Sequence, residues 1–277
     1  MIRKEATGRT FFGVRACFNG HFDAEGLKIR AMIVLHISFY RFVTVPDPEA
    51  WRGLLCTLAE SLRLLGTVTI ASEGINVSLA SSDTAALADF MRAVRALPGL
   101  ADVVCRETLG RAPGFNKLMV RVKRQILTFP EVDPPEAMSV AAINATASLS
   151  PAAFAAAVRE LGPDGLVLDT RNNYEIDHGT FVGAEHLGID EFCDFPAAFL
   201  SRYSTAKDRP ILMYCTGGIR CEKAAAFAVA QGFTRVAKLE GGILAYIDAK
   251  TPELWQGECF VFDDRQAVTR ADMVIDR

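Results

Sequence analysis

Cys215 and Arg220 are the two side chains best placed by their surroundings to do chemistry. An apolar run of strand type, Ile211 to Tyr214, delivers Cys215 into a short loop, Thr216-Gly217-Gly218-Ile219-Arg220. An Ala-rich stretch from Glu222 to Gln231 then reads as a helix. Strand, Gly-containing loop and helix together aim backbone N–H groups and the positive end of the helix dipole at one point. The anion such a cradle would stabilise first is the Cys215 thiolate, so this cysteine should titrate well below a free thiol. Arg220 closes the loop and adds a full positive charge. Cys221, next to Arg220 at the helix start, should also have a lowered pKa there. It reads either as a redox partner for Cys215 or as a small residue that packs the helix.

Four residues separate Cys215 from Arg220. Protein tyrosine phosphatase loops are one residue longer, which makes a wider cup suited to phosphate. The tighter loop resembles that of rhodaneses, where the cysteine carries one extra sulfur as a persulfide. Thr216, Gly217, Gly218, Ile219 and Arg220 are then the loop that binds the anionic sulfur.

The rest of the chain has to position that loop. With 277 residues, half of them apolar and 23% charged, there is enough chain for two globular domains. A net charge of -3 gives no overall attraction to nucleic acid, so any RNA contact must come from a local patch. Seven scattered cysteines, an odd number, argue against a disulfide framework and for a reducing compartment. The first residues show no secretory pattern and no apolar run is long enough to span a bilayer, so the chain reads as soluble, cytoplasmic and without a membrane role. No H-E-x-x-H or C-x-x-C occurs. The His21-x-Asp23 step stands in a stretch without periodicity, and no metal site is expected. No flavin, haem or iron motif is evident, so no cofactor is expected, and nothing marks a protein partner.

Residues 1–31 read as a leader outside the core fold. From 32 to 129 the order is β-α-β-β-α-β, a ferredoxin-like (acylphosphatase-like) α+β domain. Its evidence is the alternation of Ile33, Leu35, Ile37 and Phe39 with His36, Ser38, Tyr40 and Phe42, and the helical spacing of Trp51, Leu55, Leu58 and Leu62. Asp47 is the expected helix cap, Gly66 the expected stop, and Val103 and Val104 the expected opening of the last strand. Both helices pack on one face of the sheet, which leaves the other bare. A further strand follows, with Lys117, Arg121, Lys123 and Arg124 as a basic row. That row is open to two readings: a platform for single-stranded RNA beside Tyr40, Phe42 and Phe115, or a solvated edge strand whose charges block aggregation. The prolines and acids of 130–147 suggest a linker. In 148–250, strands alternate with helices, which indicates a parallel sheet with Cys215 at a strand's carboxyl end. Residues 251–277 form a C-terminal extension.

This second domain resembles a rhodanese domain in Leu168-Asp169-Thr170-Arg171, Glu175, Gly179 to Ala184, the Cys215 loop and Leu239-Glu240-Gly241-Gly242-Ile243. Residues 33–268 as a whole resemble the bacterial rhodanese-type tRNA uridine(34) hydroxylase family. Four segments carry that likeness: Ser38 to Phe42, Glu73 to Asn76, Tyr214 to Lys223, and Gly257 to Arg265. Glu185-His186-Leu187-Gly188 replaces the Asn-Pro stretch usual in that family. The resemblance implies hydroxylation of the wobble uridine to 5-hydroxyuridine, with tRNA as partner through its anticodon loop, molecular oxygen as co-substrate and Cys215 as active-site cysteine. A sulfurtransferase that carries sulfane sulfur on Cys215 is the alternative, and a rhodanese-like binding module is a third reading.

Overall fold

A computed structural model of the protein describes residues 33–249, 252–263 and 265–273. The expected leader, with its His21-x-Asp23 step, lies outside the described residues.

The first domain runs β1 (Val34–Phe42), α1 (Pro48–Ser61), β2 (Leu65–Ala71), β3 (Gly74–Ser81), α2 (Thr84–Arg95), β4 (Arg106–Gly110) and β5 (Leu118–Val122). Capping starts both helices. The Asp47 carboxylate accepts from the Ala50 amide at 2.9 Å, with Pro48 in the first turn, and the Asp83 carboxylate accepts from the Ala85 amide at 3.0 Å. Trp51, Leu55 and Ala59 of α1 and Leu87, Phe90 and Val94 of α2 are buried on the same side of the sheet as Ile37, Phe39 and Val77. The strands are ordered β4-β1-β3-β2-β5, with β5 added parallel to β2 at the edge.

Two local expectations change. α1 ends at Ser61 and turns through Arg63 at φ 52°, while Gly66 lies inside β2. A Cβ on Gly66 would lie 2.2 Å from the Ser78 carbonyl oxygen, so glycine there permits close strand pairing rather than stopping a helix. β4 begins at Arg106, because Val103 is drawn into the core while Val104 points out, 67% exposed.

The second domain contains α3 (Val140–Asn144), β6 (Ala147–Leu149), α4 (Pro151–Glu160), β7 (Leu166–Asp169), α5 (Asn173–Ile176), β8 (Gly179–Phe181), β9 (Glu185–His186), α6 (Phe195–Tyr203), β10 (Ile211–Tyr214), α7 (Ile219–Ala230), β11 (Val236–Leu239) and α8 (Gly242–Asp248). Its sheet, β6-β11-β10-β7-β9, is parallel throughout. Leu166, Leu168, Ile211 and Met213 pack against α6 and α7. Val167, Leu212 and Tyr214 pack against α4 and α8. Helices cover both faces, which is why these strands are nearly continuous apolar runs.

Residues 130–147, expected as a linker, are folded. α3 sits on α7, and Ile143 joins Phe42, Ala71, Ile126 and Ala226 in an apolar seam between the domains. Lys223 of α7 crosses that seam, its Nζ donating to Glu73 Oε1 at 2.8 Å and to the Leu127 carbonyl at 2.9 Å. The C-terminal segment is no appendage either. β12 (Trp255–Gly257) pairs with β8, and β13 (Cys259–Phe260) pairs with β14 (Ala267–Val268). Trp255, Cys259 and Val268 are buried in the second core, and Arg265 reaches Thr108 of β4 at 2.9 Å. The open face of the first sheet is thereby partly roofed by the second domain, which leaves a half-open cavity between them.

Candidate active site

Cys215 follows the last residue of β10, and α7 begins at Ile219. Gly218 makes the turn at φ 96°, in the left-handed region that favours glycine. This conformation brings its amide to 3.1 Å from Cys215 Sγ. Gly242 must be small as well, since a Cβ there would lie 2.4 Å from the Cys215 carbonyl oxygen. Cys215 is fully buried. Burial alone would raise its pKa. Hydrogen bonding from the Cys221 thiol, the Arg220 charge and the amides of Cys221 and Arg220 outweigh that and bring it to about 6. That lowered pKa favours the thiolate form of Cys215 at neutral pH.

Cys221 behaves the other way. Burial and the hydrogen bond and charge of Cys215 push its thiol well above the ordinary value, although it stands at a helix start. It stays protonated and acts as a donor to Cys215. The low pKa expected for it is corrected for a physical reason: two thiolates in contact inside a protein repel each other, so only one ionises.

Arg220 is also used differently from the simple picture of a cation gripping sulfur. Its guanidinium is buried and binds Glu175, with one bond from Nη2 to Oε2 at 2.7 Å and another from Nη1 to Oε1. Glu175 Oε2 also accepts from Thr216 Oγ1 at 2.9 Å, and Oε1 from the Asn172 amide at 3.1 Å. Burial would raise the Glu175 pKa, but the bond and charge of Arg220, with the Asn172 amide and Thr216, hold it below the usual carboxylate range. Arg220 thus reaches the sulfur through its field, while its bonds brace the loop against α5. In the sequence, Glu175 stands only among the residues of the rhodanese resemblance, with no role attached to it.

The cavity above the loop has a volume of about 1200 Å³ and is lined by both domains, among them Tyr40, Thr69, Asn76, Lys117, Gly217 and Phe262. Tyr40 comes from β1, and its hydroxyl would lie 2.7 Å from a Cβ on Gly218. Of the basic row, Lys117 lines the cavity. Arg121, Lys123 and Arg124 are exposed on and just beyond edge strand β5, outside the lining, and Arg124 pairs with Glu131 at 3.1 Å in open solvent. Phe262, 60% exposed, stands with its ring 5.4 Å from the Arg220 guanidinium carbon.

Comparison with known proteins agrees with this architecture. Residues 34–126 match a family described as UPF0176 acylphosphatase like domain, and residues 150–249 match the rhodanese-like domain. A protein of Caulobacter vibrioides named tRNA uridine(34) hydroxylase is 41% identical over 242 residues, covering 83% of this chain and 73% of that one. The chain belongs to the tRNA uridine(34) hydroxylase family. A member from Delftia acidovorans is 37% identical over 248 residues, 87% of this chain and 91% of its own. A Gluconobacter oxydans member is 39% identical over 240 residues, 84% and 74%. The protein is thus a member of an enzyme family, and the two-domain fold expected from its sequence is the one observed.

The electrostatics of the loop predict a titration. Thiolate absorbance in the ultraviolet, corrected with a Cys215→Ser variant, should rise with a midpoint near pH 6. Arg220→Ala should move the midpoint upward, since it removes a positive charge next to the sulfur. An unmoved midpoint would show that the amides and Cys221 suffice.

Proposed function

We propose that this protein hydroxylates carbon 5 of the wobble uridine of tRNA, giving 5-hydroxyuridine, with Cys215 as nucleophile and molecular oxygen as co-substrate. The observation that carries the reading is the Cys215 loop, with its lowered thiol pKa, lying beneath a cavity built by two domains that Thr216, Gly217, Ile219 and Arg220 line, in a chain of this family. At about 1200 Å³, above the roughly 300–1,000 Å³ usual for small-molecule pockets, the cavity has room for a nucleotide unit of a larger substrate. An anticodon-loop uridine is already partly unstacked, so turning it into the cavity costs only a few kcal/mol. Sulfur added at carbon 6 makes carbon 5 electron-rich toward oxygen. With a dithiol as two-electron reductant the change balances: one oxygen atom enters uridine, the other leaves as water with the two thiol protons, and the dithiol becomes a disulfide. Cys221 donates its thiol hydrogen bond to Cys215 and is the adjacent redox partner. In this reading the protein works on tRNA in the cytoplasm.

Nucleoside analysis of tRNA from a deletion strain, with and without the restored protein, tests this reading. The expected result is 5-hydroxyuridine that disappears and returns. Unchanged 5-hydroxyuridine would overturn it. Sulfur transfer from Cys215 is the second reading, favoured by the tight Cys215-to-Arg220 loop and the rhodanese-like match. It predicts thiosulfate-to-cyanide activity with tRNA unaffected.

Arg121, Lys123 and Arg124 supply phosphate contacts in this proposal. Changing all three to Gln should weaken tRNA binding and reduce the salt slope by about one unit per lost contact. The Cys215 titration should stay put, because these side chains lie outside the cavity lining. Identical affinity and salt slope would leave β5 as a solvated edge.

A further inference from the structure

Glu222 stands in the first turn of α7, just past the Cys215 loop. Its Oε1 accepts from the Tyr40 hydroxyl of the other domain at 3.0 Å, and its Oε2 pairs with Lys238 Nζ at 3.0 Å. Lys238 is held in turn by the Thr146 carbonyl at 3.1 Å and by Thr146 Oγ1. Tyr40, Glu222 and Lys238 all line the cavity. The Tyr40 hydroxyl occupies the space over Gly218, the residue whose amide binds Cys215 Sγ. Burial, then the charges of Glu222 and Cys215, keep the phenol protonated and therefore a donor.

This cluster is not needed to shape the loop, which Glu175 and Arg220 already brace. Beyond neutralising buried Lys238, the Glu222 carboxylate is oriented from two sides and still lines the cavity, which points to a chemical task. Each carboxylate oxygen can accept more than one hydrogen bond, so both keep acceptor capacity beyond Tyr40 and Lys238.

We propose that Glu222 is the base that completes the reaction at carbon 5, and that Tyr40 positions it from the other domain. The proposal rests on the hydroxylation reading with Cys215-borne sulfur bonded to carbon 6. Once carbon 5 carries its hydroxyl group it is tetrahedral and still holds its original hydrogen. Glu222 takes that proton. The electron pair of the C5–H bond becomes the C5=C6 double bond, and the C6–S bond breaks with its pair returning to sulfur. The carboxylate ends as a carboxylic acid and the sulfur as a thiolate, with no net oxidation or reduction in the step. The first domain then supplies part of the catalytic centre as well as a surface for RNA.

The experiment uses the full chain, air, a dithiol reductant and tRNA transcribed with uridine tritiated at carbon 5. Wild type should release tritium to water as it hydroxylates. If it releases none, the hydroxylation reading fails and takes this proposal with it. Glu222→Gln keeps the shape and can still hydrogen-bond but cannot take the proton. It should release tritium about 10²- to 10⁴-fold more slowly. It should also accumulate a tRNA–protein complex that survives denaturant and vanishes when Cys215→Ser is added. Cys215 should ionise no later than in wild type, whereas a collapsed loop would delay it. Glu222→Asp should restore part of the rate, and Tyr40→Phe should lower kcat with KM little changed. Release by Glu222→Gln within about threefold of wild type, well short of a general-base effect, would overturn the assignment. So would a slow variant with no covalent complex.

Discussion

Cys215→Ser should abolish 5-hydroxyuridine formation, by at least about 10⁴-fold, and leave the fold standing. The loop is built to ionise a thiol: Cys221, the Arg220 charge and the backbone amides bring Cys215 to about 6. A serine hydroxyl remains neutral in the same cradle, and neither a nucleophilic anion nor a sulfur carrier survives. Stability should change by only about 1 kcal/mol, because the smaller oxygen can accept from the same amides that served the sulfur. Nucleoside analysis and thermal unfolding of the same preparation check both halves. A Cys215→Ser protein that restores 5-hydroxyuridine to a deletion strain would remove Cys215 from the mechanism.

Glu175→Ala should produce the largest loss of stability of any single change at the site. Both partners of the Glu175–Arg220 pair are buried, and removing the carboxylate leaves a guanidinium inside the protein with no counter-charge. Breaking a buried pair from one side costs about 3–5 kcal/mol. Thr216 Oγ1 and the Asn172 amide lose their acceptor in the same change. Glu175→Gln, whose single amide oxygen can still accept from the Asn172 amide, should be milder. The pH dependence has a definite sign. The folded carboxyl is held below its ordinary pKa, so its stabilisation is present above the usual carboxylate range and is lost as pH falls through the lowered value. Urea unfolding across the acid range should show wild type losing stability on that limb, and Glu175→Ala losing less of it. A variant as stable as wild type would mean that water reaches Arg220 and replaces the carboxylate.

What the sequence determined by itself is local. The apolar run before Cys215, the glycines after it and the helix that follows are neighbours in the chain, and together they specify strand, turn and helix. Asp47 and Asp83 cap their own helices for the same reason. Alternation along β1 decided which face would meet the core. Only the tertiary structure decided what the loop touches. Glu175 lies 45 residues before Arg220, and Tyr40 lies 182 before Glu222. Nothing in the spacing of either pair announces it. The direction of each cysteine's pKa was settled in the same way. Helix position alone predicts two lowered thiols, whereas burial and mutual contact allow one thiolate and force its neighbour to remain protonated. Prolines between 130 and 147 read as a linker until Ile143 finds the seam made by Phe42 and Ala226. Chain neighbours decide backbone geometry, because dihedral preference and capping act over a few residues. Partners and protonation depend on which distant surfaces exclude water together, and that is decided when the two domains close on each other.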